Sequence, residues 1–276
     1  MTRHVLTLVC DDRIGIVHAV SGLLSDRRCN ILDSQQFGDP TTGKFFMRVH
    51  FDGDGPAAGF GAIAERHGMD WQLHDEAVRS RLLVMVSREG HCLNDLLYRW
   101  RVGALHGDIA AIVSNHPDFE PLARAYDVPY HHLPVTPDNR RQQEAALLEL
   151  VTRHDVELVV LARYMQVMSG DLCARLAGRI INIHHSFLPS FKGARPYHQA
   201  FDRGVKLIGA TAHYVTADLD DGPIVEQETA RVDHALTPEQ LAEVGRDLEA
   251  MALARAVQWH VEHRVLINGA KTVVFR

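Results

Sequence analysis

Three side-chain types that together suit carbonyl chemistry stand at two points of the chain. Asn182 and His184 close the run Arg179-Ile180-Ile181-Asn182-Ile183-His184, and Asp220 opens Asp220-Asp221-Gly222-Pro223. An amide N–H can hold a developing oxyanion, an imidazole can give or take a proton near neutral pH, and a carboxylate can orient and deprotonate a nucleophile. That set fits attack on a carbonyl carbon without a covalent intermediate. Each residue has a structural alternative: Asn182 as a strand cap, His184 as a core histidine in a chain with 18 of them, and Asp220 as a turn residue ahead of Gly-Pro. The linked pattern favours the chemical reading.

The elements that must position these groups follow from the local sequence. The run 179–184 is rich in β-formers, and a period of two puts Ile180, Asn182 and His184 on one face. Leu188-Pro189 and Lys192-Gly193 then send the chain into a loop beyond the strand's carboxyl end, where open α/β sheets bind ligands. From Arg81 onward, apolar β-runs alternate with helical patterns, which predicts a mostly parallel, Rossmann-like sheet covered by helices on both faces. Its last helix is announced by Thr237-Pro238-Glu239-Gln240, with an N-cap Thr, Pro at the first position and Gln at the third.

Ahead of this lies a shorter segment. Strands at 4–10, 30–37, 44–51 and 70–74 with helices from Ile16 and over 57–67 predict the order β-α-β-β-α-β, a ferredoxin-like split βαβ. The expected division is therefore 1–76 and 81–276, an α+β domain followed by an α/β domain.

Composition excludes several classes. The chain has 276 residues, 46% of them apolar, and its net charge of −6 gives no basic footprint for a nucleic-acid partner. Cys10, Cys29, Cys92 and Cys173 lack C-x-x-C spacing and read as reduced thiols of a cytoplasmic protein. The N-terminal apolar run is too short for a signal peptide or a membrane span. The adjacent pairs His131-His132 and His184-His185 point to opposite strand faces, so neither chelates alone, and no metal is expected.

Two resemblances add to this reading. The turn Asp12-Arg13-Ile14-Gly15-Ile16-Val17 on its topology resembles an ACT domain, the amino-acid-sensing module of metabolic enzymes. That implies an effector site around Asp12, Gly15, Ile16 and Asn30 at an interface between two such domains; the bland alternative is that Gly15 only permits a tight turn. Over 81–276 the N-x-H strand end, the Ser186-Phe187-Leu188-Pro189 loop and the D-x-G-P loop resemble the formyl-transfer fold of folate enzymes. This implies Asn182, His184 and Asp220 as the catalytic trio around the formyl group of 10-formyltetrahydrofolate. It also implies that the segment 161–169, with Met165 and Val167, receives the pterin ring, and that His213 and 216–219, with Thr216 and Leu219, lie on the ring's other side.

One departure bears on the acceptor. The transferases acting on glycinamide ribonucleotide carry a Gly-Asn/Ser-rich loop for the substrate phosphate, whereas this chain has Val86-Ser87-Arg88-Glu89-Gly90-His91-Cys92-Leu93, a poor anion cradle. The two halves together, with Ser114-Asn115-His116-Pro117 and Gly193-Ala194-Arg195-Pro196-Tyr197-His198, resemble the formyltetrahydrofolate deformylases over nearly the whole length. In that family water replaces the amine, giving formate and tetrahydrofolate. The resemblance implies a supply of formate that balances one-carbon folate pools and serves purine biosynthesis. It further implies no prosthetic group, methionine or glycine as effector, and a homo-oligomer. The competing readings are a formyltransferase to a small amine and a folate- or amino-acid-binding regulator without turnover.

Overall fold

The computed structural model describes residues 2–53, 57–190 and 196–276, so the expected loop at 191–195 lies outside the described residues. The chain packs as two units.

The first unit contains β1 (Arg3–Asp11), α1 (Ile16–Asp26), β2 (Asn30–Asp39), β3 (Lys44–Asp52), α2 (Ala57–His67) and β4 (Asp70–Asp75). Its antiparallel sheet has the order β2-β3-β1-β4, the split βαβ anticipated from the sequence. Alternation sends Leu6, Leu8, Met47, Val49 and Phe51 to the face on which Ile16, Val20 and Leu24 of α1 and Phe60 of α2 pack. Phe46 lies between Phe45 and Met47 and so points the other way, yet it is fully buried.

Its cover comes from the far end of the chain. Strands β12 (Val265–Asn268) and β13 (Lys271–Val274) form a small hairpin, and Leu266, Val273 and Phe275 pack against Phe46. Asn268 Nδ2 donates to Asp39 Oδ2 at 2.7 Å. His263–Asn268 and Val273–Arg276 therefore belong to the first unit, and the second does not run on to residue 276 as the expected 81–276 segment has it. The reason is the second apolar face of β3, which needs a lid that 1–76 does not supply.

The second unit holds β5 (Ser80–Val86), α3 (His91–Arg101), β6 (Gly107–Ser114), α4 (Glu120–Ala125), β7 (Tyr130–His132), α5 (Arg140–Arg153) and β8 (Leu158–Leu161). It continues through α6 (Gly170–Arg175), β9 (Ile180–His184), α7 (Pro196–Asp202), β10 (Leu207–Tyr214), β11 (Ile224–Arg231) and α8 (Pro238–Val261). The sheet order is β11-β10-β9-β8-β5-β6-β7, parallel from β7 to β9 and antiparallel at β10 and β11. Central β5 and β8 are apolar on both faces, as strands covered on two sides must be. Strand order reverses at β5, so the loops after β5, β8 and β9 open at the carboxyl edge where such sheets bind ligands. The capping box expected at Thr237 and Gln240 starts α8, which packs on β9, β10 and β11. Among the described residues no helix is long and apolar enough to cross a membrane.

Candidate active site

Register brings the predicted polar groups together. Asn182 of β9 stands opposite His213 of β10, and His184 opposite Thr211, so Asn182, His184 and His213 share one sheet face. Because β10 is antiparallel, its end pairs with Ile181, away from His184, and the following loop folds back to deliver Asp220. That return is tight: a Cβ on Gly222 would lie 1.7 Å from the Tyr214 carbonyl oxygen, and Tyr214 N–H donates to the Pro223 carbonyl at 2.9 Å. Only glycine permits this approach, which gives the Asp-Asp-Gly-Pro sequence a structural reason. Asp220 itself adopts a left-handed φ of 54°, which Asp tolerates better than most residues.

The hydrogen bonds fix most protons by elimination. His213 Nδ1 sits 2.9 Å from the Tyr214 carbonyl, which can only accept, so Nδ1 bears the hydrogen. Burial pushes the His213 pKa down, so the ring is neutral and Nε2 accepts from Asn182 Nδ2 at 3.2 Å. Asn182 thereby spends one N–H on His213 and has a second N–H to offer the site. His184 Nδ1 lies 3.2 Å from Asp220 Oδ1, and His213 Nε2 lies 3.9 Å from the same oxygen. The hydrogen bond from His184 holds the Asp220 carboxyl below its usual range, although burial acts the other way. Among the described residues His184 Nε2 is one of several buried nitrogens without a hydrogen-bond partner, and it is the one that lies beside Asp220 and Asn182, where a ligand could meet it.

Two loops flank this centre. Met165 and Val167, after β8, and Leu219, after β10, are exposed apolar side chains, and Thr216 is exposed with its hydroxyl donated to the Asp218 carbonyl. A Cβ on Gly170 would come within 3.8 Å of Ala217, so the start of α6 approaches the loop after β10. Ser87 pins the first loop, accepting from Met165 N–H at 3.0 Å and donating to Asn115 Oδ1 at 2.7 Å. A cleft lined by Met85, Leu133, Tyr164, Val167 and Met168 runs beneath that loop. His213, expected beside the ring, is buried with both nitrogens engaged by protein groups.

Beneath the centre lies a cluster that the residue types alone did not single out. Glu249 of α8 is 1% exposed and meets Tyr197 Oη at 2.6 Å, His91 Nε2 at 2.8 Å and Arg163 Nε at 3.3 Å. Among the described residues His91, Cys92 and Glu249 form a group with metal-ligand atoms within 4.8 Å, but the carboxylate there already faces a guanidinium. A helix interior and a loop nearly ninety positions apart gave no local signal that they would meet.

In the first unit, Gly15 caps α1 with φ 99° and, like Asp12 and Asn30, is exposed. The Ile16 side chain is 1% exposed and belongs to the core, leaving only its backbone at the turn.

Comparison with known proteins follows this division. Residues 4–67 match the ACT domain family and residues 80–257 the formyl transferase family. A formyltetrahydrofolate deformylase of Corynebacterium sp. (strain P-1) is 49% identical over 281 residues, covering 99% of this chain and 98% of that one. A crystal structure of the same enzyme from Burkholderia mallei ATCC 23344 is 54% identical with TM-score 0.96, covering 100% of both chains. Glycinamide ribonucleotide transformylase 1 from Symbiobacterium toebii matches with TM-score 0.68 at 32% identity, over 74% of this chain and 98% of its own.

Proposed function

The chain belongs to the formyltetrahydrofolate deformylase family of hydrolases, and from that premise we propose a mechanism for its own residues. Asp220 takes a proton from a water whose oxygen attacks the formyl carbon of 10-formyltetrahydrofolate. The carbonyl π pair moves to oxygen, and the second N–H of Asn182 and a proton on His184 Nε2 stabilise that oxyanion. Collapse re-forms the carbonyl and breaks the C–N10 bond; N10 takes the Nε2 proton of His184, whose Nδ1 hydrogen stays bonded to Asp220. Asp220 then releases to solvent the proton it took from water as His184 Nε2 takes one up, which restores both groups. Tetrahydrofolate and formic acid leave, the latter ionising in water.

The observation that carries this reading is the convergence at His184, with Nδ1 tied to Asp220 and Nε2 buried without a partner among the described residues. Met165, Val167 and Leu219 would receive the pterin from two sides, consistent with their exposure. The test is formate release from 10-formyltetrahydrofolate with no acceptor present. Stoichiometric formate and tetrahydrofolate are expected, while turnover that waits for an added amine would identify a transferase.

For the ACT domain, the proposal is an amino-acid effector, methionine or glycine, at the exposed turn formed by Asp12, Gly15 and the Ile16 backbone, with Asn30 nearby and a second copy of the chain closing the site. Such coupling is typically about 5–150-fold in affinity. Titration with each amino acid should change the rate or the folate affinity, and a flat response at all folate concentrations would remove the proposal.

A further inference from the structure

We propose that Glu249 is a positioning residue for the reaction, acting through Arg163 and His185 on the strand end that presents Asn182 and His184. This rests on the reading of Asn182, His184 and Asp220 as the reaction centre. The geometry begins with Glu249 in the interior of α8, where it gathers three other segments of the second unit. Tyr197 reaches it from the first turn of α7, His91 from the first residue of α3, and Arg163 from the loop after β8. Arg163 Nη1 then donates to Nδ1 of His185, the residue after His184, and the His184 and His185 rings lie nearly parallel with centroids 5.1 Å apart.

Chemistry sets the direction of each contact. An arginine can only donate, so His185 Nδ1 is an acceptor and the proton of its neutral ring sits on Nε2. Burial, and then the Arg163 charge, hold the His185 pKa down to about 4, in keeping with a neutral ring. Arg163 also begins the loop that carries Met165 and Val167, and its carbonyl accepts from Ser87 N–H at 3.2 Å. One guanidinium thus touches both the flank of the substrate cleft and the neighbour of His184, and the Glu249 carboxylate holds it by charge at 3.3 Å from Nε, without a hydrogen bond at that nitrogen among the described residues.

The contact is built into the helix. A Cβ on Gly245, one turn before Glu249, would lie 2.0 Å from Tyr197 Oη, so glycine there lets the phenol cross α8 to the carboxylate. A buried ion pair is a poor source of stability compared with apolar packing of the same volume. Its contribution is a single defined geometry, which matters most next to reacting groups that lose about 100-fold in rate for a displacement near 1 Å.

The experiment is steady-state formate release by the full chain carrying Glu249→Gln, Arg163→Gln, the two together, Tyr197→Phe, and Asp220→Asn as the reference for the reaction centre. Expected are a kcat about 10-fold or more below wild type for Glu249→Gln, with KM within about 3-fold, and a double variant no slower than Arg163→Gln alone, since the two act as a unit. Tyr197→Phe, which keeps the charge and removes one tether, should lower kcat about 3-fold. Wild-type kcat for Glu249→Gln, a rise in KM alone, or additive losses in the double variant would each overturn the proposal. If Glu249→Gln does not fold, wild-type kcat in Tyr197→Phe overturns it. Retained turnover in Asp220→Asn would instead overturn the reading of the centre, whatever the Glu249 variants do.

Discussion

Asp220 can serve as a base because the His184 hydrogen bond favours its ionised form more than burial disfavours it. A carboxyl whose folded pKa is depressed stays ionised at and below its unfolded value of about 3.9. The stability it confers is accordingly present above that value and lost as pH falls through the folded pKa. Asp220→Asn should lower kcat by about 10²–10⁴ while folate affinity, followed by ligand fluorescence, changes little; wild-type turnover would remove the base assignment. Any acid limb of the rate profile above about pH 5 should belong to another group, because Asp220 remains ionised there. Carboxyl NMR placing the Asp220 titration on that limb would contradict this. Residue types alone named Asn182, His184 and Asp220, because oxyanion, proton and nucleophile each demand a particular functional group. They did not show that His213 orients Asn182, since that role depends on a cross-strand neighbour and on the Tyr214 carbonyl.

At the scale of elements, the loop between β10 and β11 is the part whose shape is hardest to replace. Its return over the sheet needs Gly222 against the Tyr214 carbonyl, where an added methyl would lie 1.7 Å from oxygen. Gly222→Ala should therefore displace Asp220 and lower kcat about 100-fold, with circular dichroism showing an intact fold; an alanine variant with unchanged kcat would show that the loop accommodates the methyl. The order of strands and helices was legible because alternating apolar runs and a capping box are local signals, and α8 starts at the anticipated Thr237. The short strand β12 was not anticipated, because four residues after a long helix carry too little periodicity to separate a strand from a loop.

For the molecule as a whole, the two units have two proposed purposes, a sheet edge for the reaction centre and an ACT domain for sensing. Residues His263–Asn268 and Val273–Arg276 of the C-terminal hairpin region belong structurally to the ACT-containing unit, where Phe275 and Leu266 cover Phe46. Phe275→Ala should destabilise that unit by about 3 kcal/mol or somewhat more, visible as an earlier loss of amide protection in β3 than in the wild type; unchanged protection there would show that the hairpin is not the lid. By itself the sequence determined the fold class, the two-part organisation and the family, and it named the residues proposed for the reaction centre, because hydrophobic period, turn chemistry and functional-group types are written locally. Only the tertiary structure decided that the chain's end closes the first unit, that β10 runs backwards so that Asp220 must loop home, and that Glu249 lies beneath the centre. These depend on which distant segments share a face or a buried charge, and separation along the chain carries no record of that.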